Sequence, residues 1–516
     1  MKVDSDSLKW TINHLVTLSD SDLFPRPIEL DVISELGESA ITFLSNLDLA
    51  QATPGPSRRF IVPKDNLSYR TATQLDPLDS IFLAAIIYKY GGLLEQKRRP
   101  KDEERVFSYR FFPDNSGHFY DLDFSWNLFW KKCLEKSIDY PYTVILDISD
   151  FYNQIYHHTL ENQLMECGLP NQVVKWIMKL LKSITVGVSR GIPIGPHSVH
   201  LLAEISLNPV DNSLISRGIE FCRYIDDLII FCNSEAEART IVLQVADILD
   251  KQQRLILQNQ KTKILERDEF QGYCSEMIED RPINDLEENI ANIIKKYSGG
   301  NPYQTVYLSD ISEEDLKQFN ETSINKILSD YLSQEKPDYT RLRWFIRRLS
   351  QVGHPSGIKY CVDHFDKLTP AISEICLYFV SVSNFSDIEW PDVGDRLIRL
   401  LENEIIKSNG YLQMSIYSLF NRKIELNHLD KLLRNYKSVS PLLQREIIIA
   451  AYKNGASDWI RELKEQFSVM DIWTKRAFLI ACSILPKEER KFFIKQISRD
   501  NKPLDELIIK YAKNQP

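Results

Sequence analysis

Over the first 300 residues, short apolar runs alternate with stretches of helical spacing. Thr143-Val144-Ile145-Leu146 has the length and β-branched content of a buried strand. Phe221 to Phe231 holds two apolar runs parted by Asp226-Asp227, which predicts two strands joined by a tight acidic turn. Between these regions, Asn171 to Leu181 and Val199 to Leu207 repeat apolar residues at the period of a helix. Such a mixture predicts an α+β domain.

Beyond about residue 300 the β-alternation stops, and amphipathic helical segments follow one another across short polar turns. Ser298-Gly299-Gly300-Asn301-Pro302 marks the change, so the expected division is 1–300 and 301–516. Gln444 to Ala451 is similar to Lys475 to Cys482, an offset of 31 residues. Thr369-Pro370 and Ser440-Pro441 each precede a helical segment, Thr or Ser being suited to capping and Pro to the first turn. Together these features predict an all-α, HEAT-like array of stacked helix pairs, the alternative being an irregular bundle.

Composition narrows the class. The chain has 516 residues, 43% hydrophobic and 26% charged, which is the balance of a globular protein. Its longest apolar run, Ile81 to Tyr88, falls far short of the roughly 20 residues of a membrane span, so no membrane partner is expected. The polar, acidic N-terminus is no signal peptide. Eight scattered cysteines with no C-x-x-C pair predict reduced thiols and a cytoplasmic location. Tyr88 to Gly92 reads as a helix end, and His157-His158 as a surface pair.

The net charge is −9 and uneven. Residues 301–516 carry 31 Lys+Arg against 29 Asp+Glu, which leaves 32 against 43 for residues 1–300. That deficit argues against a long grip on duplex phosphates. Residues 431–516, with 17 Lys+Arg against 10 Asp+Glu, keep a surface able to guide a single strand. The densest basic run, Lys97-Arg98-Arg99-Pro100-Lys101, is followed at once by Asp102, Glu103 and Glu104 and reads as a solvated loop.

Three carboxylates carry the candidate chemistry. Asp147 ends the first predicted strand, and Asp226 and Asp227 sit in the turn of the second feature. Adjacent carboxylates repel, and apolar walls make each charge harder to hold. A bound cation resolves this, and hard oxygen donors favour Mg²⁺ or Mn²⁺. With a third carboxylate from a neighbouring strand, two ions can support in-line phosphoryl transfer.

Asp147-Ile148-Ser149-Asp150-Phe151-Tyr152 resembles the first catalytic motif of reverse transcriptases, and Arg223-Tyr224-Ile225-Asp226-Asp227 resembles their Y-x-D-D motif. Arg190-Gly191-Ile192-Pro193-Ile194-Gly195-Pro196 through Ser198, with Ala203-Glu204, is similar to the intervening motif. Leu257 to Lys263 is similar to the one that follows. The G-x-P-x-G-P-x-S variant and the helical second half resemble the bacterial abortive-infection (Abi), AbiK-like polymerases of phage defence.

The resemblance implies a reverse-transcriptase-like fingers and palm, two Mg²⁺ or Mn²⁺ ions on Asp147, Asp226 and Asp227, and the Ile148 carbonyl as a further ligand. It makes Tyr152 an aromatic gate under the sugar C2′, hence deoxynucleotide substrates. Pro193, Ile194 and Gly195 become the floor of the nucleotide pocket, Lys261 an aid to pyrophosphate departure, and Lys64 and Arg70 fingers residues that grip triphosphate. Many templated relatives have glutamine where this chain has Ile194, which cannot hydrogen-bond a nucleotide or template. The Abi group implies untemplated, protein-primed DNA synthesis, a single-stranded DNA product attached to the protein, and a homo-oligomer. The alternatives are a retron-like templated reverse transcriptase and a helical-repeat sensor on a scaffold polymerase fold. Arg348 and His354 fit a loose ribonuclease pattern, with His354 off the helix.

Overall fold

The structure, a computed structural model, describes residues 1–278, 282–300, 304–383, 388–497 and 502–515. The chain forms two compact units, neither continuous in sequence. The first is Met1–Ser21, Ser34–Arg58 and Thr73–Asp280; the second is Asp22–Ile33, Arg59–Ala72 and Arg281–Pro516. The Ser298–Pro302 boundary motif runs into residues 301–303, which lie outside the described residues.

Strands β1 (Arg58–Pro63) and β2 (Tyr69–Gln74) pair as a hairpin whose tip, residues 59–72, belongs to the second unit. The first unit is built on a four-stranded antiparallel sheet. Its strands are β3 (Tyr142–Asp147), β4 (Glu220–Tyr224), β5 (Asp227–Cys232) and β6 (Lys263–Glu266), in the order β4-β5-β3-β6. Central β3 is buried on both faces, which is why its sequence is an unbroken apolar run. Ile145, Ile229 and Phe231 face helices Trp126–Ser137 and Arg267–Ile278, in a core with Phe107, Phe129, Trp130 and Phe270. Helix Glu235–Gln253 also packs on β3 and β5, through residues such as Val245 and Ile248. All eight cysteines are free and buried.

One expectation is corrected here. Tyr88 to Gly92 is not a helix end: helix Pro77–Lys97 runs straight through it. A side chain at Gly91 would stand 2.5 Å from the Phe111 ring, so the glycine serves close packing rather than termination. The same helix is, among the described residues, the one long and apolar enough to cross a bilayer. Two-thirds of its apolar window (67%) is buried inside the protein, the behaviour of a core helix.

Among the described residues, the regular structure of the second unit is helical apart from the tip of the β1–β2 hairpin. Helix Tyr339–Val352 packs on Ile372–Ser381, that on Gly410–Arg422, that on Pro441–Lys453, that on Ile472–Ala481 and that on Pro503–Asn514. Pro441 takes the first helical turn as expected, but neither Ser440 nor Thr369 makes a side-chain cap. Thr369 instead opens a 3-10 turn and bonds the Asp366 carbonyl. His354 lies off its helix, after Gly353 in the left-handed region. Arg348 stacks on Trp344 and bonds Gln351.

Candidate active site

The ends of two paired strands bring two of the carboxylates together. β3 and β5 are antiparallel, and their register sets Asp147 directly opposite Asp227. Like charges at that position repel. Asp226 occupies the two-residue turn between β4 and β5 together with Ile225. Burial first, then the charges of Asp226 and Asp147, push the Asp227 carboxyl up to about 7.

Past β3 the chain is pinned to the segment before β6. The Gln258 amide donates to the Asp147 carbonyl (2.8 Å), Ser149 N–H donates to the Ile256 carbonyl (2.8 Å), and buried Ile148 pairs with Leu257. This delivers Lys261, whose Nζ lies 2.7 Å from Asp147 Oδ1. Burial pulls the ammonium down, but the hydrogen bond and charge of Asp147, with Asp227 and Asp226 behind it, outweigh that and raise it.

Three carboxylates are hard oxygen donors whose mutual repulsion a divalent cation relieves, so the donor chemistry fits Mg²⁺ or Mn²⁺. Among the described residues, no three Asp, Glu, His or Cys side chains are already gathered in metal-holding geometry. Lys261 supplies the positive charge at Asp147, and a metal bound at that oxygen competes with it.

The acidic turn is strained and braced. Ile225 has φ +55°, a left-handed conformation that costs a β-branched residue roughly 1–3 kcal/mol. Its N–H donates to Ser108 Oγ (2.8 Å), and its carbonyl accepts from Arg223 Nη1 (2.9 Å). Arg223, fully buried, forms a fork with Asp211 (2.8 and 2.7 Å) and reaches Glu204 (3.2 Å). Glu204 also accepts from Ser108 Oγ (2.6 Å) and from Arg98 (2.8 Å). Burial pushes Glu204 up, yet the two guanidiniums and Ser108 leave it below the usual range. At Asp211 burial wins over Arg223, and the carboxyl rises.

Tyr152 lies on the short helix Phe151–Gln154, its hydroxyl 2.6 Å from His200 Nδ1. Its carbonyl accepts from the Ile192 amide (2.9 Å). Pro193, Ile194 and Gly195 form an irregular loop, with Gly195 at φ +137° and the Ile194 carbonyl accepting from Thr73 N–H (2.8 Å). His157 is not a surface residue: it is buried, with Nε2 2.8 Å from the Gly191 carbonyl, because it must bond the backbone of this loop.

Lys64 and Arg70 belong to the second unit, on the β1–β2 hairpin. The Lys64 carbonyl accepts from Arg343 (3.0 Å), and Arg70 Nε is buried without a hydrogen-bond partner.

The model of the family described as reverse transcriptase (RNA-dependent DNA polymerase) matches residues 95–283. That segment holds Asp147, Asp226, Asp227, Lys261 and the whole brace beneath the turn. Residues 95–283 are a reverse-transcriptase-like domain. The chain is therefore an enzyme, a nucleotidyltransferase of the reverse-transcriptase-like kind. No curated protein matches the chain. Among solved structures, apo telomerase from Candida tropicalis aligns at TM-score 0.34 and 11% identity, over 74% of this chain and 74% of that one. Telomerase from Candida albicans in complex with the TWJ fragment of telomeric RNA aligns at TM-score 0.30 and 10% identity, over 79% and 69%. Scores this low leave the assignment to the motifs, the site and the family match.

The reverse-transcriptase-like domain contains residues that sequence reasoning passed over. The run at Lys97 to Lys101 is not a solvated loop. Arg98 is buried on Glu204, Arg99 pairs with Glu103, and Lys101 pairs with Asp121. Ser108, Asp211 and His200 carried no sequence signal, since they lie outside the motif residues and meet their partners 117, 12 and 48 residues away only in the fold.

Proposed function

We propose that this nucleotidyltransferase makes DNA without a template, priming on one of its own side chains, in defence against phage. Asp147, Asp226 and Asp227, with the Ile148 carbonyl, would hold two Mg²⁺ or Mn²⁺ ions, which would supply positive charge to the triphosphate and to the attacking hydroxyl. Tyr152 selects deoxynucleotides, Pro193, Ile194 and Gly195 form the pocket floor, and Lys261 protonates departing pyrophosphate.

One observation carries the reading. Asp147 and Asp227 face each other at the ends of paired strands, with Asp226 in the adjoining turn, while the floor position holds Ile194, whose side chain has no hydrogen bond to offer a template. The series of helices packing each on the next supports a HEAT-like array for 301–516, with 1–300 as fingers and palm. That array holds the polymerase in a homo-oligomer. Eight unbridged thiols support a cytoplasmic location.

A second reading, RNA-templated synthesis, is favoured by the description of the matching family. One experiment separates the two. The purified protein is given Mg²⁺ and labelled dNTPs, with and without template, and resolved under denaturing conditions before and after protease. Template-free label that leaves the protein only on proteolysis supports the first reading, and strict template dependence supports the second. Equal incorporation by Asp226→Ala sinks both.

A further inference from the structure

The gate residue is not held by packing alone. Tyr152 sits between two fixed points: its carbonyl is bonded by Ile192 N–H, and its hydroxyl by His200 Nδ1 at 2.6 Å. His200, in the first turn of helix Val199–Ser206, lies flat on the Tyr109 ring, with centroids 4.0 Å apart and planes 5° apart. Tyr109 is itself immobilised. Its backbone has φ +44°, and its carbonyl accepts from Arg98 Nη1 at 2.7 Å. Tyr120 packs 5.0 Å from it and donates its own hydroxyl to the His197 carbonyl at 2.6 Å. The buried Arg98 guanidinium also holds the Ser108 carbonyl (2.6 Å) and Glu204 (2.8 Å), the groups that brace the acidic turn. A chain of fixed contacts thus runs from Arg98 through Tyr109 and His200 to the phenol of Tyr152.

A steric gate discriminates by where its ring stands, and an ångström of slack admits a hydroxyl. We infer that His200, backed by Tyr109, is a positioning residue that fixes the Tyr152 ring and so sets discrimination between deoxy- and ribonucleotides. The inference rests on the gate reading of Tyr152 given above. One phenol–imidazole hydrogen bond suffices whichever partner donates, and the phenol oxygen is committed to the protein. The ring itself is then the part that meets the sugar.

The test uses the full-length protein with Mg²⁺ and labelled dNTP or rNTP, read as the ratio of kcat/KM for the two. His200→Phe keeps a ring on Tyr109 and removes the bond; Tyr152→Phe keeps the gate ring and removes the same bond. Each is expected to lower discrimination about tenfold, the worth of one buried hydrogen bond. Because the bond is shared, the double variant should be no worse than either single one. His200→Gln, whose amide oxygen can accept, should recover part of the loss. Tyr152→Ala should lose more discrimination than either. Thermal melts accompany each protein, and if His200→Phe does not fold, Tyr152→Phe alone reads the bond. An unchanged ratio in Tyr152→Phe and His200→Phe beside a collapsed ratio in Tyr152→Ala overturns the inference. Equal slowing of dNTP and rNTP also overturns it, because that is what a purely structural histidine does. An unchanged ratio in Tyr152→Ala removes the gate reading itself, and the inference with it.

Discussion

Two hairpins among the described residues, β4–β5 and β1–β2, are made in opposite ways. The β4–β5 hairpin closes on a two-residue turn with a strained isoleucine, and it is braced from below by buried charges: Arg223 on Asp211 and Glu204, with Ser108 on the Ile225 amide. The β1–β2 hairpin closes on a relaxed polar tip. There Asp65 Oδ1 accepts from Leu67 and Ser68 N–H, and Leu67 is 97% exposed. Single hydrogen bonds to neutral acceptors, with no ion pair among them, hold it: Arg343 to the Lys64 carbonyl, Asn409 to the Ile61 carbonyl, and Tyr339 to Asn66. A carboxylate turn cannot relax without moving its acids, so its support is stiff and costly to break. A tip bonded from the edge can lose one contact and keep its shape.

That contrast can be broken at several strengths. Asp226→Asn should abolish nucleotide incorporation, by about a thousandfold or more, while leaving the melting temperature near wild type. The loss is of several kcal/mol of transition-state stabilisation at the proposed metal ligand. Arg223→Met should strand Asp211 as an uncompensated buried charge and leave Glu204 with Arg98 alone for its charge partner. Urea unfolding is expected to show a loss of about 3–5 kcal/mol.

The Asp227 pair should respond to pH. With its folded value raised to about 7, the native state binds a proton that the unfolded state has released above about pH 4. Stability in chelator should therefore fall as pH rises from about 4 to 7 and level off above. Asp227→Asn should flatten that slope, and Mg²⁺ should restore wild-type stability at pH 8; melting curves across pH read all three. Ser108→Ala removes one bond from the Ile225 amide and should cost about 1–2 kcal/mol, with incorporation slowed. Arg343→Ala, on the other hairpin, should cost about 1 kcal/mol or less, with faster limited proteolysis near residues 64–68 as its sign. If Arg343→Ala costs as much as Arg223→Met, the contrast between the two supports is wrong.

Much of the acidic hairpin could be read from the chain. Apolar runs on either side of Asp226-Asp227 can bury themselves only as paired strands, and the turn between them must then carry the acids. The same reasoning put Asp147 at the end of a buried strand. Burial of charge could not be read this way. Arg98 sits in a basic run that looks solvated, and Asp211 lies in an ordinary amphipathic helix. Their partners come from elsewhere in the fold, so no local pattern announces them. His157 misled for the same reason: its partner is a carbonyl 34 residues on. The helix through Tyr88–Gly92 misled because glycines usually end helices, and the Phe111 ring packed against Gly91 is a contact no local pattern announces.

What the sequence by itself determined was the identity and order of the reactive groups, the mixed strands and helices that carry them, and the helical character of the second half. These follow from local rules, the period of apolar residues and the spacing of motifs, which act within a few residues along the chain. Only the tertiary structure decided that Asp147 faces Asp227, that Lys261 reaches Asp147 across 114 residues, and that Arg98, Ser108, Glu204 and Arg223 brace the turn. It also decided that His200 holds Tyr152. Strand register and buried ion pairs are contacts between distant segments. Their energies depend on removing water from both partners at once, and that happens only when the whole domain closes around them.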